Sequence, residues 1–417
     1  MRQSHLFTKT QKEAPANEVA KNAQLLIQAG YIYKNMAGAY SFLPLGLRVL
    51  ENINTIIREE MDAIGGQELH MPSLQEDRLW KLSDRWDEDK VDVWFKTELQ
   101  AGGTVGLAWT HEEVITDLMR QYVSSYKDLP LFAYQIQTKF RNEMRAKSGI
   151  MRTREFLMKD MYSFCATQEQ HDAFYESAAV AYMKIFNRLG IGDETYKTFA
   201  SGGAFTKFSH EFQTLAEAGE DVVYVNKEKG IAVNEEVLEE TDLSELGVTK
   251  DELTKYKSIE VGNIFSLGTK FSESIGLEVN NEHGEKQSVI MGSYGIGPAR
   301  AMGTIVDLLS DDKGIVWPAA VAPYQLHLVG LNGDDSEIKD WTDGVYAALK
   351  ARGVSVLYDD REARPGEKFA DSDLLGMPYR VVMSKKGKEA GTFEVVTRAT
   401  GEVRNLTEEE LFADFSS

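Results

Sequence analysis

Residues 139–164 read KFRNEMRAKSGIMRTREFLMKDMYSF, and the alternation at each end of this stretch predicts an antiparallel hairpin. Residues 138–143 alternate like a strand, Ser148 and Gly149 offer a turn, and residues 154–158 alternate again. On such a hairpin Arg141 and Glu143 share one face, and the returning strand brings Arg152 and Phe156 back over the same space. Lys139, Arg141, Arg145, Lys147, Arg152, Arg154 and Lys159 are gathered here in a chain of formal net charge -20. Cationic charge concentrated against that background implies an anion, although clustered charge is usually just a solvated face. A guanidinium for phosphate, a carboxylate that accepts from an exocyclic amine and an aromatic face for a base together describe ATP.

The wording of the stretch separates the two readings. Phe140-Arg141-Asn142-Glu143, a variable loop and then Arg152-Thr153-Arg154-Glu155-Phe156 resemble motif 2 of the class II aminoacyl-tRNA synthetases. The tail REFLMKDMYSF is similar to that of the bacterial-type prolyl-tRNA synthetases, a class IIa family. The resemblance implies that Arg141, Glu143, Arg152 and Phe156 bind ATP.

The whole chain sets wider bounds. Its 417 residues, 42% of them hydrophobic, suffice for two or three cores, and two domains are the default expectation. No run approaches the ~18 apolar residues of a membrane span, and the opening MRQSHLFTKTQKEAP has no apolar signal region. A soluble protein is expected. The single cysteine, Cys165, excludes an intramolecular disulfide and a cysteine-cluster zinc site, which suits a reducing cytoplasm. A pI near 4.9 argues against nonspecific coating of nucleic acid, so RNA contact must come from local basic patches. No internal repeat and no low-complexity segment is visible.

In chain order, residues 17–29 read as a helix, and a second helix ends near Gly65-Gly66. Within residues 50–72, Ile53, Ile56, Ile57, Met61 and Ile64 form one stripe, which core packing explains. The same stretch, ending at Pro72, is similar to motif 1 of class II synthetases, which implies a homodimer interface. In GLAWTHEEVITD, residues 106–117, a zinc-protease helix fails for want of a second histidine, and Thr110 with Glu113 predicts a capped helix start. The matching Thr-x-Glu of prolyl-tRNA synthetases implies that Thr110 and Glu112 hold the secondary ammonium of proline. That family usually has Pro where Trp109 stands.

Residues 171–189 predict an amphipathic helix. Beyond it, Ser209-His210-Glu211-Phe212 is similar to the family's Ser-His-Glu-Phe element, which places His210 beside the bound amino acid; on residues alone a lone histidine is more often structural. The preceding loop, 204–208, departs from the family's pattern and receives no role. Residues 220–258 are acidic and only moderately apolar, and read as a linker-like insertion with at most a short helix or two. The large hydrolytic editing domain that bacterial-type prolyl-tRNA synthetases commonly carry between motifs 2 and 3 does not fit there. IEVGNIFSLGTKFS, residues 259–272, is similar to a prolyl-specific segment.

Residues 289–307, VIMGSYGIGPARAMGTIVD, place Gly292, Gly295 and Gly297 at a tight strand-to-helix junction. A dinucleotide fingerprint fails, because Arg300 replaces its third glycine and no βαβ unit leads in. Gly295-Ile296-Gly297-Pro298-Ala299-Arg300 instead resembles motif 3, with Arg300 against adenine and the γ-phosphate opposite Phe156. Ser293 stands where the family most often has Cys, a small-for-small change in the proline pocket.

From Trp317-Pro318 strands and helices alternate, the signature of a small α/β domain with a largely parallel sheet over residues 323–417. Met383-Ser384-Lys385-Lys386 mimics part of a class I synthetase signature but lacks its partner His-x-Gly-His. YDDREARPGEKFADSDLLGMP resembles the anticodon-binding domain of class IIa synthetases, with Arg364 and Lys368 as anticodon contacts.

The resemblance runs from Met1 to beyond Lys386. It implies an α+β fold: a class II catalytic domain, residues 1–318, with an antiparallel sheet flanked by helices, plus a C-terminal α/β anticodon-binding domain, 323–417. It further implies activation of L-proline by ATP with Mg²⁺ and without zinc, transfer to tRNA(Pro), and a homodimer. Arg141 and Arg300 are the catalytic cations; Arg141 also joins Thr110, Glu112, His210 and Ser293 around proline. A separate trans-editing deacylase follows from the missing editing domain, and no membrane partner is expected. Another class IIa synthetase is opposed by Thr110, Glu112 and the 259–272 segment. A noncatalytic synthetase-like binding protein is opposed by Arg141, Arg152 and Arg300 all being present.

Overall fold

The structure, a computed structural model, describes residues 1–201, 208–333 and 335–415. Of the loop 204–208, residues 204–207 lie outside the described residues. Two compact units result. One gathers Met1–Asn35, Tyr40–Ile53 and Ile305–Ser417; the other gathers Met36–Ala39 and Asn54–Thr304.

The second unit is built on a nine-stranded sheet. Its centre runs Thr254–Gly268, Ile290–Ile296, Glu155–Cys165, Leu131–Phe140, all antiparallel neighbours. Glu155–Cys165 is buried from Lys159 onward and Ile290–Ile296 from Met291 onward, as strands with both faces covered must be, and the buried Lys159 and Asp160 are satisfied by hydrogen bonds. The helix Gln168–Arg188 packs on this sheet and buries Phe174, Ala178, Tyr182, Ile185 and Phe186 at helical spacing. Its Thr167 caps the first turn through Gln170 N–H.

The linker-like reading of residues 220–258 is corrected here. Asp221–Asn226 and Ile231–Asn234 are strands, and Thr254–Gly268 is long enough to pair with Asp221–Asn226 at its start and with Phe208–Leu215 further on. With Thr195–Ser201 these strands close a ring of five. Val233, Val237, Leu238, Val248 and Leu253 form a small core of their own. Few apolar residues suffice because the ring, not the segment alone, supplies the partners.

A three-stranded sheet of Leu74–Glu76, Thr104–Leu107 and Phe95–Glu98 leads into the helix Glu112–Met119. Thr110 is not its N-cap, as the capping-box reading required: His111 holds that position without a side-chain cap. The stripe Ile53, Ile56, Ile57 and Met61 is buried within the chain, as core packing requires.

In the first unit a five-stranded sheet has Leu326–Gly330 parallel to both Val356–Asp359 and Tyr379–Met383, while Phe393–Thr397 and Val403–Leu406 follow antiparallel. The sheet is therefore mixed rather than largely parallel. The unit's extent also differs from a division at 318–323, because the N-terminus supplies what this sheet lacks. Arg2 pairs with Asp343 and Asp360, and buried His327 donates from Nε2 to Gln3 Oε1 at 3.0 Å. Tyr31 donates to Leu375 O at 2.6 Å and accepts from Trp317 Nε1 at 3.0 Å. No described helix is long and apolar enough to cross a membrane.

Candidate active site

The hairpin forms, but its strands stop short of all the cations except Lys139 and Lys159. Leu131–Phe140 and Glu155–Cys165 pair until Phe140 meets Glu155, leaving residues 141–154 as a loop with Ser148 and Gly149 at positive φ. Arg141 and Glu143 lie just past the strand end, held by Arg141 N–H to Arg154 O and Asn142 N–H to Val93 O. The seven bases then divide. Lys139 is buried against Asp160 at 2.6 Å, and Lys159 is buried donating to Tyr182 Oη and Tyr294 O. Arg154 is spent on the carbonyls of Ala37, Glu143 and Met144, and Lys147 pairs with Glu220.

Arg145 is exposed and lines neither recess; Arg141 and Arg152 remain, and with Arg300 they line one cleft together with Glu143, Phe156 and Glu260. Arg152 donates to Glu143 Oε2, and Arg300 donates to Glu260 and to Met151 O at 3.0 Å. Arg141 is different: among the described residues no carboxylate pairs with it, and its buried Nε has no hydrogen-bond partner. Burial, and next the charge of Arg300, push its guanidinium below the usual range. Its Cζ lies 5.3 Å from the Phe156 ring centroid. Two guanidiniums crowded beside a ring, one without a counter-ion, form a site that an anion would relieve.

A second recess meets the first at Arg141, Glu143, Met158, Asn263 and Gly295. It is lined by Trp109, Thr110, Glu112, Asp160, Tyr162 and Ser293. Thr110 Oγ1 donates to both oxygens of Glu112, at 2.8 and 2.7 Å, and Ser293 reaches the same carboxylate at 3.4 Å. Asp160 accepts from Lys139, Gln135 and Tyr162. His111 lies 3.8 Å from Asp160, and burial, then Lys139, lowers it to about 4, so this contact is not an ion pair near neutrality. A Cβ on Gly295 would stand 2.8 Å from Asn263 Oδ1, so glycine is what lets the strand pass the recess.

Two expected residues lie elsewhere. His210 pairs with Ile264, and directly opposed residues point to one face, so His210 faces away from Asn263 and Phe265, which line the recess. Its Nδ1 hydrogen-bonds the Tyr175 hydroxyl at 2.8 Å instead. Lys368 is buried, donating to Gly330 O at 2.6 Å and Asp359 O at 3.3 Å, and is not offered to tRNA. Arg364 is exposed at the start of the helix Pro365–Leu375.

Sequence reasoning missed Glu260, Asn263 and Glu211. Glu260 and Asn263 fall on one face because the strand bulges between them, Gln213 pairing with Glu260 and Phe212 with Gly262. Glu211 pairs with Asn263 on that face, and burial, then Glu260, raise its carboxyl to about 8. Plain alternation could not have aligned these three; the resemblance of residues 259–272 marked the stretch without naming its residues.

Comparison with known proteins agrees with this geometry. Residues 95–308 match the family model "tRNA synthetase class II core domain (G, H, P, S and T)", and residues 325–416 match "Anticodon binding domain". The chain is 39% identical over 434 residues to a proline-tRNA ligase of Wolbachia sp. subsp. Drosophila simulans, covering 100% of both. It is 40% identical over 433 residues to that of Rhodospirillum rubrum, covering 98% of both. In fold it is similar to the prolyl-tRNA synthetase of Cryptosporidium parvum complexed with halofuginone and AMPPNP, at TM-score 0.77 and 19% identity over 94% of this chain and 75% of that one. The same enzyme complexed with L-proline and AMP gives a TM-score of 0.75.

Proposed function

The chain belongs to the prolyl-tRNA synthetase family, and from that premise we propose how its own residues divide the reaction, the ATP-dependent ligation of proline to tRNA(Pro). Proline lies in the recess of Thr110, Glu112 and Ser293, its secondary ammonium on Glu112 and its carboxylate toward Arg141. ATP lies in the adjoining cleft with its base on Phe156 and its exocyclic amine toward Glu143. The carboxylate oxygen attacks the α-phosphorus, the bond to the β-phosphate oxygen breaks, and pyrophosphate leaves. The terminal ribose hydroxyl of tRNA(Pro) then takes the prolyl group and AMP departs. The nucleophile is already anionic, so the work is positioning and charge neutralisation. Arg141 serves the α-phosphate; Arg152 and Arg300 serve the outer phosphates.

The observation carrying this reading is Arg141, without a carboxylate partner, at the junction of both recesses. Proline-dependent ATP–pyrophosphate exchange by the purified protein tests it, and absence of exchange with proline would overturn it.

Mg²⁺ fits the same cleft. Glu260 lines it, and Glu211, paired across the strands with Asn263, is raised to about 8 by burial and then by Glu260. Among the described residues no three His, Cys, Asp or Glu form a metal cage, and Mg²⁺ commonly takes one or two carboxylates with substrate phosphates. Glu211 and Glu260 would hold the ion, which when bound supplies neutralising charge to phosphate oxygens. The scheme requires no zinc.

Glu112→Gln is expected to raise the KM for proline about 10-fold or more while the KM for ATP stays within about threefold, because only the amino acid loses a charge-assisted bond. Steady-state exchange kinetics check this, and equal shifts in both constants would make Glu112 a structural residue. The protein acts as a cytoplasmic homodimer through residues 50–72. Since the stripe Ile53, Ile56, Ile57 and Met61 is already buried, the partner meets the other faces of this stretch. Sedimentation is expected to give a dimer at micromolar concentration; monomer alone would contradict it. Catalysis belongs to the unit that carries both recesses, and tRNA anticodon binding to the five-stranded sheet within residues 323–417, with Arg364 at that surface.

A further inference from the structure

Two adjacent carboxyl groups, Glu112 and Glu113, meet one buried guanidinium. Arg85 does not line the proline recess, and its side chain is 6% exposed. Its Nη1 lies 3.3 Å from Glu112 Oε2 and 3.0 Å from Glu113 Oε1. We propose that Arg85 is the positioning residue for proline capture, a buried cation that fixes the geometry and charge of Glu112 from outside the recess. This rests on Glu112 being the seat of the proline ammonium.

The local fold is arranged to deliver Arg85 there. After the helix Asp77–Leu82, Asp84 takes a positive φ of 60°, and Arg85 N–H returns to Trp80 O at 2.9 Å. This left-handed residue reverses the chain and turns Arg85 inward. Trp94 Nε1 donates to Arg85 O at 2.9 Å. The guanidinium carbon then lies 4.4 Å from the Trp109 ring, 5.1 Å from Phe271 and 5.3 Å from Trp80. Aromatic faces favour a cation and exclude water, which strengthens its hold on a nearby carboxylate.

Charge balance supplies the reason. Glu112 is 2% exposed, and an ionised carboxylate so buried is costly without a counter-ion. Arg85 pairs with both carboxyls, while Lys270 acts on both, and Lys139 and Arg141 on Glu112, only through space. Only Glu112 of the two opens onto the recess, so it is the carboxyl that an arriving ammonium meets, with its orientation already set by Arg85. Glu113 is fully buried, accepts from Ser83 Oγ at 2.6 Å, and leaves Oε2 without a hydrogen-bond partner. Burial raises it to about 7, against the opposing charge of Arg85. Trp109 is both a wall of the recess and 4.4 Å from the Arg85 guanidinium carbon, which ties the wall to the cation.

The test is a double-mutant cycle in pyrophosphate exchange on the full chain. Arg85→Met is expected to raise the KM for proline about 10-fold or more with the KM for ATP within about threefold, and Arg85→Lys, which keeps the cation, to recover most of the loss. Arg85→Met combined with Glu112→Gln is expected to be no worse than Glu112→Gln alone, because Arg85 acts through Glu112. If Arg85→Met does not fold, Arg85→Gln/Glu113→Gln, which removes one buried charge and one buried carboxyl, takes its place with the same expectations. Overturning results are an unmoved KM for proline, both constants rising together, a lysine as impaired as methionine, or multiplying effects in the double variant. If Glu112→Gln itself leaves proline binding unchanged, the proline-site assignment falls and this inference with it; if only the Arg85 variants do, the inference alone falls.

Discussion

Arg141→Ala is expected to slow prolyl-adenylate formation by about 100- to 1,000-fold, the usual cost of removing one preorganised donor from developing charge. The fold should survive. Among the described residues no carboxylate depends on this guanidinium, its Nε has no partner, and the chain around it is pinned by the main-chain bonds of Arg141 and Asn142. Arg300 is a poorer test, since it also ties Met151 O and Glu260 together, and its loss would mix structural with catalytic damage. Removing Arg141 also relieves the repulsion that Arg300 exerts on it, so thermal stability is expected to hold or rise slightly. Exchange activity within threefold of the parent, with an unchanged melting temperature, would refute the assignment of Arg141 to the reacting phosphate.

The same residues show where sequence reading works and where it stops. Alternation alone pointed to Arg141, Glu143, Arg152 and Phe156 on one hairpin, and the resemblance added Thr110, Glu112, Ser293 and Arg300; the structure brings all of them to the two adjoining recesses. The fate of Lys139 and Lys159 was hidden: the counter-charge Asp160 and the acceptors Tyr182 and Tyr294 come from strands and a helix whose pairing is nonlocal. His210 was misplaced for a related reason. A motif word does not specify which face a strand presents, and only the register with Ile264 decides it. The segment 220–258 looked like a linker because its apolar residues are sparse, yet Asp221–Asn226 and Ile231–Asn234 need only one neighbour each to complete the ring. Arg85 was silent in sequence, as a lone arginine among tryptophans has no period to betray it.

The purified protein is expected to form Ala-tRNA(Pro) at a measurable rate and to leave it uncleared. On the proposed assignment, the recess walled by Trp109, Phe265 and Met158 and closed on Glu112 offers alanine the same partners for ammonium and carboxylate as proline. A pocket shaped for the larger ring cannot exclude the smaller side chain; it only binds it less well, by ~1 to 3 kcal/mol for each missing methylene. Alanine lacks two of the ring's methylenes, so discrimination by kcat/KM is expected at about 30- to 20,000-fold, and double-sieve editing at a second hydrolytic site is the remedy when that is insufficient. The interval between motifs 2 and 3 that would hold such a site is occupied. Residues 221–234 complete the ring of strands, and Val237, Leu238, Val248 and Leu253 pack onto Val233 to close it. At fewer than the ~40 residues below which an independent domain needs disulfides or metals, the segment has become part of the catalytic unit rather than a second enzyme. A separate deacylase is therefore proposed to complete proofreading. The measurement is to supply preformed Ala-tRNA(Pro) and follow its hydrolysis: a rate well above the spontaneous one would reveal an editing site within this chain.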